Sequence, residues 1–258
     1  MKILMSGDIV GRLGRNTVEN VLPDLRKDLG VDLVVANGEN AAGGFGITPD
    51  TAKQLIKSGV DVITSGNHIW DQRAIVPYLE DVEFPIMRPM NYPTSTPGKG
   101  YFLAGDVLVV NLLGRVFLGA FDCPFVAVST LLDELSDNMP LVVLVDFHAE
   151  ATAEKEAMGW HLDGRVSAVV GTHTHVPTAD TRILPKGTAY VSDLGMVGPL
   201  NSIIGADPND AMGRFLDQVP RRLSMVIDGP ARFNSVLLDI DDQSGDTISI
   251  SRVDRYLD

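Results

Sequence analysis

Cysteine is almost missing from this chain, positive charge is scarce, and no long hydrophobic run occurs; each shortage removes a class of function. Cys123 is the only cysteine among 258 residues, so no intrachain disulfide can form and a thiolate metal cage is excluded. Lys and Arg number 21 against 34 Asp and Glu, a formal charge of −13 at pH 7. Such a surface repels polyanions, so no extended nucleic-acid groove is expected. A phosphate-bearing substrate would have to be caught by a local positive centre, which favours a metal ion over a basic patch. No apolar run approaches the ~20 residues of a membrane span, and Ile3-Leu4-Met5 is too short for a secretory core. A cytoplasmic protein without a membrane partner is expected, with monomer and homo-oligomer both left open. No internal repeat, low-complexity tract or linker interrupts the chain, and 45% hydrophobic content fills a large core. One domain over residues 1–258 is the expectation.

What is present is a series of short apolar runs. KILMS, DLVVAN, VDVITS, LVVLVDF and VSAVVG are apolar at consecutive positions, the pattern of strands buried on both faces. Helical spacing of Val18, Val21, Leu22, Leu25 and Leu29 predicts a helix that Pro23 bends or restarts. TPDTAKQLIKSG predicts a second, with Thr48 as cap, Pro49 in the first position and Gly59 as stop. ATAEKEAMGWHLDG predicts a third, carrying Glu154 and Lys155 on a polar side. The alternation reads as right-handed βαβ units on a mostly parallel sheet. Residues 85 to 121 differ: PIMRP, GYFLAG, VLVVNLLG and RVFLGAF read as short strands, and FNSVLLDIDDQSGDTISISRV as a hairpin around Ser244 and Gly245. Two sheets packed face to face and flanked by helices accommodate both styles.

Polar residues follow the buried runs. KILMS leads into Gly7-Asp8, DLVVAN into Gly38-Glu39-Asn40, VDVITS into Gly66-Asn67-His68, LVVLVDF into His148, and VSAVVG into Thr172-His173-Thr174-His175. In a parallel sheet the carboxyl ends share one edge, where such folds bind ligands. VLVVNLLG delivers no such group. Taken singly, Asp8 reads as a turn residue, Asn67-His68 as a cap and His148 as a satisfied core histidine. Four of the five histidines nevertheless stand at strand ends, and His173 and His175 at i and i+2 project the same way. Jointly the acids, amides and imidazoles point to a metal site. The opening GDIVGRLG is not a dinucleotide cradle: its glycines fall at 7, 11 and 14, off the G-x-G-x-x-G spacing, with no helix expected to begin directly on them. A nicotinamide-dependent oxidoreductase would also leave the histidines unexplained.

Gly-Asp, Gly-Glu-Asn, Gly-Asn-His, a lone His after a strand and Gly-Thr-His-Thr-His stand in the order of the calcineurin-like metallophosphoesterase motifs. GDIVG, NGEN, GNHIWD, DFHAEAT and GTHTHVPTAD more closely resemble the YmdB-like 2′,3′-cyclic-nucleotide phosphodiesterase family, from Met1 to about Gly198. The chain departs from the broad superfamily where Asp8 is followed by Ile9 and Val10 in place of Asp-x-His, and where Glu39 replaces a bridging Asp. Asn40 stands in for the lost histidine. The resemblance implies a four-layer αββα sandwich and two divalent ions, one held by Asp8, Glu39, Asn40 and His175, the other by Glu39, Asn67, His148 and His173. Glu39 bridges. Oxygen and nitrogen donors without sulfur suit iron, manganese, cobalt or zinc, with iron or manganese favoured. Two such ions against two carboxylates leave about +2 in the crevice of an acidic protein. The implied reaction is hydrolysis of a small phosphodiester such as a 2′,3′-cyclic nucleotide, by a metal-activated water. His68, beside Asn67, is the candidate proton donor to the leaving ribose oxygen, with Asp71 as its partner. Gly43-Gly44-Phe45-Gly46 reads as a loop that a substrate could approach. Alternatives are a phosphomonoesterase or phosphoprotein phosphatase, and a nucleotide-binding regulatory protein with a degenerate metal site.

Overall fold

The structure, a computed structural model, describes residues 1–220 and 222–258. The first half runs β1 (Lys2–Ser6), β2 (Asp8–Ile9), α1 (Gly11–Leu29), β3 (Leu33–Asn37), α2 (Pro49–Lys57), β4 (Val62–Thr64), α3 (Val76–Glu80), β5 (Tyr101–Ala104), β6 (Val107–Leu113) and α4 (Pro124–Glu134). The second runs β7 (Val142–His148), α5 (Thr152–Leu162), β8 (Ala168–Thr172), β9 (Arg182–Ile183), β10 (Ala189–Val191), β11 (Met196–Pro199), α6 (Pro208–Asp217), β12 (Ala231–Phe233), β13 (Ser235–Ile240), β14 (Thr247–Arg252) and β15 (Arg255–Leu257).

Two large sheets face each other, one ordered β14-β13-β1-β3-β4 and the other β5-β6-β7-β8-β10-β9. Their interiors are parallel: β1 with β3 and β3 with β4 in the first, β6, β7, β8 and β10 in the second. Ile3, Met5, Val35 and Val62 meet Val109, Leu144, Val170 and Val191 in one buried layer between them. The opposite faces are covered as well. Val18, Leu22 and Leu55 of α1 and α2 pack on Leu4, Val34 and Ile63, while Val128, Leu132 and Met158 of α4 and α5 pack on Val110, Val145 and Val169. This is the expected four-layer sandwich, and burial of both strand faces is why the runs are continuously apolar. The antiparallel pairing of β13 with β14 is the expected hairpin. Among the described residues no helix is long and apolar enough to cross a membrane.

Several expectations need correction. A third, four-stranded sheet, β15-β12-β11-β2, was not foreseen; β2 has two residues and β12 and β15 three each, too few for a periodic signal. Helix α1 does begin on the glycines, at Gly11 with φ +60°. It also passes Pro23 without interruption, because Pro23 and Glu19, whose carbonyl the ring cannot serve, are both exposed to water. PIMRP and RVFLGAF are not strands. PIMRP keeps a single parallel bridge, Ile86 to Ile63 of β4, and Arg88 donates to the carbonyls of Pro89, Met90, Thr96 and Pro97. Helix α2 follows expectation: Thr48 and Thr51 exchange side-chain and backbone hydrogen bonds in a capping box, and Pro49 is first. Helix α5 does not, since Glu154 and Lys155 are both buried. Each has found partners there, Lys155 Nζ on Asp193 at 2.7 Å and Glu154 Oε1 under the Arg115 amide at 3.0 Å.

Candidate metal centre

The polar strand ends converge, but from two facing sheets rather than from one. Asp8 follows β1 and opens β2 of the third sheet, while Glu39 and Asn40 follow β3 and Asn67 follows β4 in the first sheet; His148 closes β7, and His173 and His175 follow β8 in the second. Gly7 can only be glycine, because a Cβ there would run into the Gly195 carbonyl. His148 Nε2 lies 3.1 Å from Glu39 Oε1 and 3.0 Å from His173 Nδ1. Asn40 Nδ2 donates to Glu39 Oε1 at 3.0 Å and lies 3.2 Å from His175 Nε2. Asp8 Oδ2 accepts the His173 amide at 3.1 Å, and its Oδ1 is 3.9 Å from His175 Nε2. These six residues form one continuous group, buried except for the partly exposed His173. Asn67 borders it through its neighbour His68, whose amide donates to Glu39 Oε2 at 3.1 Å.

The hydrogen bonds behind the imidazoles decide what their front atoms offer. Thr172 Oγ1 donates to Asp146 Oδ1 at 2.7 Å and so accepts from His148 Nδ1 at 2.9 Å. His173 Nε2 donates to Glu150 Oε2 at 3.0 Å, and His175 Nδ1 donates to the Ile204 carbonyl at 2.9 Å. In each ring the remaining nitrogen therefore aims a lone pair inward. Three lone pairs thus face two buried carboxylates, and Asp8 Oδ1 and Asn67 Oδ1 are buried without a hydrogen-bond donor among the described residues. Such an arrangement repels itself unless a positive charge sits within it. With protons alone, burial disfavours charge on His148, but Glu39, Asp8 and Asp146 outweigh it and lift its pKa to about 9. Burial, then the charge on His148, pushes His173 down to about 3. Burial raises Asp8 against the pull of His175 and His148, whereas at Glu39 the His148 charge overcomes burial and the pKa falls. One proton on His148 does there what a cation would do. Mixed nitrogen and oxygen donors fit a divalent transition ion, and Glu39, His148 and His173 place ligand atoms within 4.8 Å of one another.

Two buried networks hold this geometry, and neither was foreseen. Asp146, inside the apolar run of β7, accepts from Thr64, from Thr172 and from Asn37 Nδ2 at 3.1 Å. Asn37 Oδ1 in turn accepts the Glu39 amide at 3.1 Å. Asn111 of β6, a strand expected to deliver nothing, bonds Ser65 ahead of Asn67. On the other side Asp193 Oδ2 takes the Thr174 amide, the Thr174 hydroxyl and Lys155. This clamps the turn in which His173 and His175 sit at φ +100° and +65°, conformations costing about 1–3 kcal/mol each. An acid within an otherwise apolar run marked Asp146, and Asp193 after AYVS repeated the strand-end pattern.

A cavity of about 140 Å³ opens over the group. Glu39, Asn40, His173 and His175 line it together with His68, Gly44 and Phe45. His68 Nδ1 is 2.8 Å from Asp71 Oδ2, the partner expected from the sequence, and Phe45 meets the imidazole edge-on at 5.2 Å.

Known proteins share this architecture. The chain is 46% identical to the 2′,3′-cyclic-nucleotide 2′-phosphodiesterase of Bacillus subtilis (strain 168), over 98% of its own length and 96% of that protein's. It superimposes on the crystal structure of a hypothetical protein from Thermus thermophilus with a TM-score of 0.92, at 42% identity and 99% coverage of both chains. A 5′-nucleotidase precursor from the same organism matches with a TM-score of 0.54 at 12% identity, covering 98% of this chain and 54% of that one, a likeness of fold alone. The family model described as YmdB-like protein matches residues 4–253. With every strand end of the candidate centre inside that match, the chain belongs to the YmdB-like family.

Proposed function

We infer that the chain is a divalent-metal-dependent phosphodiesterase acting on small phosphodiesters of the 2′,3′-cyclic-nucleotide kind, as the name of its Bacillus subtilis relative says of that protein. One observation carries the reading: inward lone pairs of His148, His173 and His175 face the buried Asp8 and Glu39 carboxylates, and Asp8 Oδ1 and Asn67 Oδ1 have no hydrogen-bond donor among the described residues. Asp8, Glu39, Asn40 and His175 would hold one ion and Glu39, Asn67, His148 and His173 the other, iron or manganese being favoured. Such ions supply an acidified water and neutralise phosphoryl oxygens. The rest falls to the side chains. Asp71 keeps the His68 Nδ1 proton and leaves Nε2 toward the cavity. As the P–O bond to the ribose breaks, the alkoxide oxygen takes a proton from His68 Nε2, which ends neutral.

Metal analysis of protein purified without added ions, followed by assays on 2′,3′-cyclic AMP, bis-p-nitrophenyl phosphate and p-nitrophenyl phosphate, tests the proposal. Two ions per chain and preferential turnover of the diesters are expected. Preference for the monoester would make it a phosphatase, and bound metal without turnover a binding protein. His68→Ala should retain its metal and lose about 10²- to 10⁴-fold in kcat on the cyclic nucleotide. It should lose far less on bis-p-nitrophenyl phosphate, whose phenolate leaves unprotonated. Equal losses on both would remove His68 as proton donor.

A further inference from the structure

The cavity over the candidate metal centre has a second, apolar side that the reaction does not use. Besides Glu39, Asn40 and the imidazoles it is lined by Phe45, Ile204, Leu223 and Met225, none of which offers a side-chain hydrogen-bond donor or acceptor, save the weak sulfur of Met225. These residues are not all packed away: Phe45 is 41% and Ile204 51% exposed. Ile204 is also strained. A β-branched residue at φ +48° is a backbone outlier, and its carbonyl is the group that accepts from His175 Nδ1. The constraint that aims His175 at the centre therefore also sets the Ile204 side chain at the cavity. On the other flank Gly44 lies so close to Met225 that a Cβ would strike its side chain, which seats the Phe45 loop against the same wall. Phe45 stands edge-on to His68 at 5.2 Å, with 72° between the rings, so a flat group laid on Phe45 lies beside the proton donor.

We propose that Phe45 and Ile204 form a subsite for the nucleobase of the substrate, holding the faces of the ring and leaving its edges unread. The proposal rests on the reading that the phosphoryl group lies at the cluster of Asp8, Glu39 and the histidines. With the phosphate there and the ribose at His68, the base is the part left to cover the exposed apolar side. Aromatic stacking serves any base because each has a π-face, so purines and pyrimidines are accepted with little distinction.

Binding to the metal-loaded protein tests the subsite without turnover. Adenosine 3′-monophosphate and ribose 3-phosphate are titrated calorimetrically into the wild type, Phe45→Ala and Ile204→Ala. The wild type should bind the nucleotide about tenfold more tightly than the sugar phosphate. Both variants should close that gap by weakening the nucleotide alone, and the four nucleoside 3′-monophosphates should agree within about threefold, since stacking is sequence-tolerant. Equal affinity of the wild type for both probes would overturn the proposal. So would an equal loss on both probes in Phe45→Ala, or a preference for one base above about tenfold, which edge reading would require. A base-dependent gap without hydrolysis of any diester would remove the phosphodiesterase reading and keep the subsite; hydrolysis with no gap would do the reverse.

Discussion

Lys155→Met is expected to lower the folding free energy by about 3–5 kcal/mol, the cost of leaving a buried partner charge uncompensated. Lys155 and Asp193 are 3% and 1% exposed at the side chain and 2.7 Å apart, so water cannot replace the ammonium. For a chain of this size the melting temperature should fall by on the order of 10 °C. Asp193 retains the Thr174 amide and hydroxyl and the Gly195 amide after the substitution, which is why unfolding should remain cooperative. The double variant Lys155→Met, Asp193→Asn should recover part of the loss, because no orphaned charge remains. A single variant within about 0.5 kcal/mol of the wild type by urea titration would show the pair to be dispensable. Metal binding should suffer in the double variant rather than in Lys155→Met alone. The turn holding His173 and His175 at positive φ is fixed by Asp193 through Thr174, bonds that the single variant keeps and Asp193→Asn weakens, and loss of such outer support costs about 10- to 100-fold in metal affinity.

Lys155 also marks where the sequence could be read and where it could not. The strands that build the two inner faces were legible because Ile3, Met5, Val35, Leu144 and Val170 stand in unbroken apolar runs, a signal only double-sided burial produces. The residues ending those strands were legible for the same reason, as polar side chains just past an apolar run. Their assembly from two sheets was not, since it depends on which strands pair. Lys155 beside Glu154 on a helix looks like a solvated face; only its pairing with a residue 38 positions away places it inside. Asp146 belongs to the same class. Its role depends on Thr64 and Thr172, 82 and 26 positions distant, and local spacing carries no trace of them. The third sheet escaped because β2 gives two residues to it and is paired by β11, remote in the chain.

Glu39→Gln separates the charge of the centre from its shape. The side chain keeps its volume, and its oxygen can still accept the His68 amide that Glu39 Oε2 takes at 3.1 Å. The carboxylate facing His148 Nε2 at 3.1 Å and Asn40 Nδ2 at 3.0 Å is lost. In the metal-free protein this removes the main charge that holds a proton on His148. The imidazole can then stay neutral, since burial already favours that form, and stability should change by no more than about 1 kcal/mol. With metal the consequence is large. A cation binding only the folded chain at a hundred times its Kd adds about 2.7 kcal/mol, which should raise the wild-type melting temperature by about 5–10 °C. In Glu39→Gln that increment should vanish, the metal content should fall below one ion per chain, and kcat/KM on the cyclic diester should drop about 10²- to 10³-fold, as when a preorganised electrostatic element is lost. A variant that still melts higher with metal and keeps two ions would show that Glu39 does not bridge them, because a neutral amide cannot offset two divalent charges at once.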